Sequence, residues 1–363
     1  MVEKDFILNT EKATLKKGKV KWESPSNIAL VKYWGKRENQ IPANPSISFT
    51  LSKSKTITEL SFEKKSETKN FSFDVYFEGE RYEAFKPKIE TFFQRIEPYM
   101  PFLRDYHFKI DTKNTFPHSS GIASSASGMS ALALCLMDME RLLFGMDVSQ
   151  DYFNKKASFL ARLGSGSACR SIEGEVVIWG ENESFSESSD LYGVKFSDDL
   201  HPNFKNFQDA ILLVDKGEKQ VSSTVGHKLM EGHPFAAQRF NQAHNNLSEL
   251  KNVLITGNLN RFIEIVESEA LTLHAMMMTS MPYFILMKPN TLEIIQKIWN
   301  YRAQNNSNLC FTLDAGANVH LLFPEAEADE VYEFIKSQLV AYCQNGHYIC
   351  DSIGKGASQL KTP

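Results

Sequence analysis

From Phe116 to Gly128 the chain reads F-P-H-S-S-G-I-A-S-S-A-S-G and then runs straight into the apolar stretch Met129 to Phe144. Small residues let a backbone wrap closely around an anion, and a helix starting there points N–H groups and the positive end of its dipole at it. The stretch therefore predicts a phosphate cradle opening a helix over Ser124 to Phe144. Ser119, Ser120, Gly121, Ser124 and Ser125 are its candidate contacts, the hydroxyls suiting phosphate oxygens or a magnesium ion. It matches neither G-x-x-x-x-G-K-[ST] nor a strand-led G-x-G-x-x-G, which disfavours the two common nucleotide loops. The competing reading is a serine-capped core helix.

A chain of 363 residues with 42% hydrophobic content can bury a large core and suits two domains. A net charge of -4, with lysines scattered among acids, supplies no basic field for nucleic acid. Cys135, Cys169, Cys310, Cys343 and Cys350 are odd in number and contain no C-x-x-C pair, which argues against a disulfide framework or a structural zinc site. No apolar run approaches the roughly eighteen residues of a membrane span, and M-V-E-K-D-F-I-L-N-T lacks the apolar core of a secretory signal. A soluble cytoplasmic protein is expected.

Outward from the cradle, residues 1 to about 20 read as a loosely held polar extension. Thr56 to Phe62 and Asn70 to Phe77 alternate apolar and polar residues across a charged turn and predict a β-hairpin. Helices are expected over Phe85 to Glu97, after the N-cap candidate Ser149 up to Gly164, and near Pro234 to Leu250, Leu259 to His274, Leu292 to Gln304 and Ala326 to Leu339. Strands are expected over Tyr106 to Asp111, Glu173 to Trp179, Ala210 to Asp215, Phe311 to Phe323 and Tyr348 to Asp351. Glu181 to Asp190, dense in Ser, Glu and Asp, is the best linker candidate. Domains are expected over 20–200 and 201–363, each an α+β sandwich, since helices and strands mix without strict alternation.

Three further segments carry chemistry. In S-P-S-N-I-A-L-V-K-Y-W-G-K, Ser24 to Lys36, two lysines bracket aromatics, which suits a polyanion with a carbon chain, or else a solvated basic turn. In G-S-G-S-A-C-R, Gly164 to Arg170, a glycine–serine turn closes on an arginine whose planar fork can grip a carboxylate or phosphate; a helix-ending loop is the alternative. In F-T-L-D-A-G-A-N-V-H-L-L-F, Phe311 to Phe323, one acid interrupts an apolar run, so Asp314 is either a turn former or a working group. Met276 to Met278 read as core, and His274 as a hydrogen-bonded or packing histidine.

In this order, N-I-A-L-V-K-Y-W-G-K, S-S-G-I-A-S-S-A-S-G, G-S-G-S-A-C-R-S and T-L-D-A-G-A-N-V resemble the diphosphomevalonate decarboxylase family, within the superfamily of galactokinase, homoserine, mevalonate and phosphomevalonate kinases. The resemblance implies a ribosomal-protein-S5-like N-terminal ATP-binding domain, a ferredoxin-like C-terminal domain and an active site between them. It implies ATP-dependent conversion of mevalonate 5-diphosphate to isopentenyl diphosphate, with magnesium arriving with ATP, Ser124 or Ser125 as its candidate contact, and no fixed protein metal site. By resemblance Asp314, Arg170, Lys32 and Asn27 are catalytic. Tyr33, Lys36, Ser165, Ser167 and Ser223 bind substrate, the cradle binds ATP, and a homodimer is the implied assembly. The family commonly has T-A-A-G around Ser119 to Gly121, methionine at His227 and proline at Ala317. Alternatives left open are a related kinase, a decarboxylase specific for a monophosphate, and a silent metabolite-binding relative.

Overall fold

The computed structural model describes residues 1–8, 15–66, 69–117, 122–217 and 223–361, without the side chains of residues 223 and 224. A first sheet contains β1 (Lys17–Val31), β2 (Ser46–Lys64), β3 (Ser72–Phe77), β4 (Glu80–Arg81), β5 (Tyr106–Asn114), β6 (Val176–Trp179) and β7 (Val194–Lys195). Helices α1 (Lys86–Ile96), α2 (Ser124–Phe144) and α3 (Gln150–Gly164) cover its outer face. A second, antiparallel sheet is ordered β11 (Tyr348–Ser352), β8 (Gln208–Leu212), β10 (Val319–Phe323), β9 (Cys310–Thr312). With it go α4 (Ser223–Lys228), α5 (Ala236–Thr256), α6 (Leu259–Met278), α7 (Pro289–Asn305) and α8 (Ala328–Phe334).

The first half of β2 explains how the two parts join. Ile47, Phe49 and Leu51 point into an apolar layer shared with Phe207, Ile211, Leu250 and Phe262. Ser46, Ser48 and Thr50 alternate with them, are equally buried, and present hydroxyls to the other face. A strand buried on both faces at this point leaves room for a polar site on the hydroxyl side. The chain's end returns to the first part: β12 (Ser358–Gln359) pairs with Trp22 and Glu23 of β1, and Gln359 donates to the buried Asp138.

Several expectations need correcting. The hairpin does not form, because β5 lies between β2 and β3 and runs parallel to β3. Alternation fixes which face a strand buries, and it is silent about the neighbour. The polar extension is anchored at Phe6, fully buried and stacked on Phe159 at 4.6 Å. The stretch 181–190 is no linker: it connects two paired strands, Asp190 accepts from Arg37, and Asn182 donates to the His244 carbonyl. Phe311 to Phe323 is two strands, β9 and β10, with Asp314 in the turn between them. Ser149 does cap α3, accepting from the Tyr152 N–H at 3.2 Å.

Candidate active site

Lys32 follows the last residue of β1, and Asp314 sits in the β9–β10 turn. The fold brings them together from 282 positions apart, with Lys32 Nζ donating to Asp314 Oδ1 at 3.2 Å. Lys32 is 2% exposed and Asp314 31%, so the lysine forms the floor and the carboxylate faces the cleft. Burial lowers the Lys32 pKa, and Asp314 and Glu269 oppose the shift. The turn is pinned from two sides: His274 Nε2–H donates to the Asp314 carbonyl at 3.1 Å, and Thr291 Oγ donates to the Ala317 carbonyl at 2.7 Å.

Residues that carry no motif hold the lysine backbone. Glu269 Oε2 accepts from the Lys32 N–H at 2.8 Å, while Arg239 and Asn44 both donate to the Lys32 carbonyl at 2.9 Å. Arg239 and Glu269 form a fully buried ion pair at 2.6 Å, and Asn246 donates to the same carboxylate. Such a network, with its charges paired and hydrogen-bonded except at the buried Arg239 Nε, locks Lys32 in place. Only the partnering of a buried charge could have flagged these residues, and their partners lie far off in sequence.

The G-S-G-S-A-C-R segment forms a 3-10 turn, Gly166–Ser171, after α3. It buries Arg170 to 2% exposure, where the guanidinium donates to the hydroxyls of Ser46 and Ser48 and lies 5.7 Å from the Trp179 ring. Asn27 donates to Ser171 Oγ at 2.7 Å and to the Ser167 carbonyl, tying β1 to this turn. Gly166 is required for the approach, since a Cβ there would stand 2.8 Å from the Tyr33 hydroxyl and 2.9 Å from Trp179. That hydroxyl is buried with no hydrogen-bond partner among the described residues, and burial raises its pKa. Lys36 Nζ donates to Gln40 at 3.0 Å.

These side chains line one cleft of about 490 Å³, with Ser165, Ser167, His227 and Ser125. Among the described residues Lys32, Lys36, Lys88, Arg95 and Arg170 face a single carboxylate, Asp314, so the cleft is built for an anion. Lys88 and Arg95, from α1, were not anticipated, because isolated charges on an amphipathic helix look like a solvated face.

At the cleft's edge α2 begins at Ser124. Its N-cap is Ala123, in the left-handed region at φ 41°, and no side chain caps it, so the serine-capped reading does not hold. Beside this first turn lies a smaller pocket of about 130 Å³, walled by Phe77, Phe85, Ile89, Ile110, Met129 and Leu132, with Ser124 and Ser125 at its side. Ser119, Ser120 and Gly121 lie outside the described residues, as does the side chain of Ser223. Among the described residues no cluster of His, Cys, Asp and Glu could hold a metal ion, and no helix is long and apolar enough to cross a membrane.

A two-sheet α+β chain whose halves meet at a buried, cation-rich cleft with a lysine–aspartate pair is an enzyme for small anionic substrates. Residues 24–190 match the model of the diphosphomevalonate decarboxylase-like N-terminal domain, and residues 210–360 that of the mevalonate 5-diphosphate decarboxylase C-terminal domain. The chain belongs to the diphosphomevalonate decarboxylase family. It is 28% identical over 330 residues to the diphosphomevalonate decarboxylase of Ganoderma lucidum, covering 86% of this chain and 80% of the relative. It is 26% identical over 333 residues to that of Bos taurus, covering 86% and 78%. A structure of MDDEF in complex with MVAPP, AMPPCP and magnesium superposes with a TM-score of 0.80 at 26% identity, over 95% of this chain and 100% of that one. Mevalonate diphosphate decarboxylase from Staphylococcus aureus gives the same TM-score and identity, over 95% and 98%.

Proposed function

We propose that this cleft carries out the ATP-dependent decarboxylation of mevalonate 5-diphosphate to isopentenyl diphosphate, carbon dioxide, ADP and phosphate, a step of isoprenoid biosynthesis. The observation that carries the reading is the Lys32–Asp314 pair at 3.2 Å in a cleft whose other charged groups, among the described residues, are cations. A tertiary hydroxyl leaves poorly, so it is phosphorylated first; ATP, carried with magnesium, supplies the phosphoryl group.

Asp314 orients the 3-hydroxyl and takes its proton, and Lys32 balances the charge that develops. Loss of phosphate then leaves positive character at the tertiary carbon. The carboxylate's electrons collapse into the new double bond as carbon dioxide departs. Arg170, held by Ser46 and Ser48, fixes that carboxylate in line, and Asn27 holds the turn that carries Arg170. Tyr33, Lys36, Ser165, Ser167 and Ser223 receive the diphosphate. The Tyr33 hydroxyl, unpartnered among the described residues, and the surplus of cations among them support a polyanion there.

The apolar pocket beside α2 supports a nucleoside base, and Ser124 and Ser125 at its side support contact with phosphates or the accompanying magnesium. We assign the nucleotide to the unit spanning residues 20–200 and place the boundary with the second unit near residue 200. The protein acts in the cytoplasm, as a homodimer.

The test supplies the purified protein and MgATP with mevalonate, mevalonate 5-phosphate or mevalonate 5-diphosphate, and scores ADP and carbon dioxide. Equal amounts of both on the diphosphate alone are expected. Both products on the monophosphate alone would reassign the substrate, and ADP without carbon dioxide would make the protein a kinase.

A further inference from the structure

We infer that His227 is a specificity-determining contact of this cleft, its Nε2–H donating a neutral hydrogen bond to a phosphate oxygen of the substrate's diphosphate end. The inference rests on the functional reading above and adds a donor to it.

The geometry is built for this ring. Gly35, in the left-handed region at φ +100°, turns its N–H onto His227 Nδ1 at 3.0 Å. The nitrogen that accepts cannot carry the proton, so the proton lies on Nε2. The ring is held between Tyr33, at 4.2 Å between centroids, and Trp34, at 4.8 Å. Gly226 permits the approach of α4, because a Cβ there would stand 2.5 Å from the Trp34 ring. Two glycines and two aromatic rings thus fix the tautomer and the orientation of one buried imidazole that lines the cleft.

Position along the cleft assigns the end of the substrate. His227 adjoins Tyr33 and Gly35, and the larger of the two charges it feels is Lys36, which the reading above gives to the diphosphate, followed by Arg170, rather than the Lys32–Asp314 pair. Burial first, then those two cations, hold its pKa down at about 3, so the imidazole stays neutral at any working pH. Five cationic side chains already attract the anion. A neutral donor in a fixed direction adds what they lack, a preference for an oxygen at one place.

The test varies mevalonate 5-diphosphate at saturating MgATP for wild type, His227→Met and His227→Gln. Loss of a hydrogen bond to a charged oxygen raises KM by about tenfold to a hundredfold in His227→Met, with kcat moving far less. His227→Gln, whose amide N–H reaches the place of Nε2–H, recovers most of the loss. A KM within about twofold of wild type in His227→Met, or a glutamine variant as impaired as the methionine one, overturns the inference. If wild type does not turn over the diphosphate, the functional reading fails instead. Calorimetry with inorganic pyrophosphate then decides alone: weaker binding by His227→Met supports the inference, and equal binding overturns it. Should the variants not fold, nitrogen NMR of wild type replaces them. An Nε2–H tautomer that shifts on adding pyrophosphate supports the contact, and an Nδ1–H tautomer or an unmoved signal overturns it.

Discussion

At the scale of single residues the site is a matter of which groups are kept charged and which neutral. Among the described residues Asp314 is the one carboxylate lining the cleft, and Asp314→Asn preserves its shape while removing the base. We expect kcat to fall by about 10²–10⁴, read from ADP release; undiminished turnover would refute the assigned mechanism. His227 and His274 are the neutral members, lowered by burial from the ordinary 6.5 to about 3 and about 4. An unfolded chain takes up these protons near pH 6.5, and the folded chain does so only well below it. Their stabilising contribution is therefore complete above pH 6.5 and declines as pH falls toward 4. In urea titrations the stability gap between wild type and His274→Gln should narrow below pH 6.5, by up to about 1.4 kcal/mol per pH unit. A gap that stays constant or widens would contradict this.

At the scale of elements, the turn Gly166–Ser171 matters because it carries Ser167 and Arg170 on one short stretch. Its conformation depends on Gly166 having no side chain where Tyr33 and Trp179 close in. Gly166→Ala should cost about 1–3 kcal/mol by overpacking and raise KM for the diphosphate substrate, measurable by urea titration and steady-state kinetics together. Helix α2 is the other decisive element. Its span, Ser124 to Phe144, was legible to the residue because an apolar run follows a small-residue loop and Gly145 ends it at φ 59°. The expected hairpin fails for the converse reason: period-two alternation is local, whereas the insertion of β5 between β2 and β3 is set by contacts distant in sequence.

At the scale of the whole molecule, a few buried contacts join the two sheets and build the cleft. Glu269 of α6 accepts from the Lys32 N–H at the end of β1, and its ion pair with Arg239 is fully buried. Glu269→Gln leaves Arg239 buried without a counter-charge and should cost about 3–5 kcal/mol, with a loss of kcat because Lys32 loses its anchor. Asp351 of β11 accepts from the N–H groups of Ser52, Lys53 and Ser54 on β2, at 2.9, 2.8 and 2.7 Å. Asp351→Ala strands three donors and should cost about 1–3 kcal/mol, with faster hydrogen exchange at residues 52–54 as the direct readout. Unchanged exchange there would show that other contacts carry the junction.

By itself the sequence determined the α+β class, the existence and placement of the long helices, though α5 runs on to Thr256 and α6 to Met278, and the segments that converge on the cleft. Each of these rests on local order: apolar periodicity, glycine and serine in tight turns, and a lone charge in an apolar run. The tertiary structure alone decided that Lys32 meets Asp314, that Ser46 and Ser48 hold Arg170, that Lys88 and Arg95 of α1 add to the cleft's charge, and that Glu269 and Arg239 lock the floor. Those facts depend on pairs separated by many tens of residues. A buried charge can be recognised as useful only once its partner is in place, and chain order does not specify the partner.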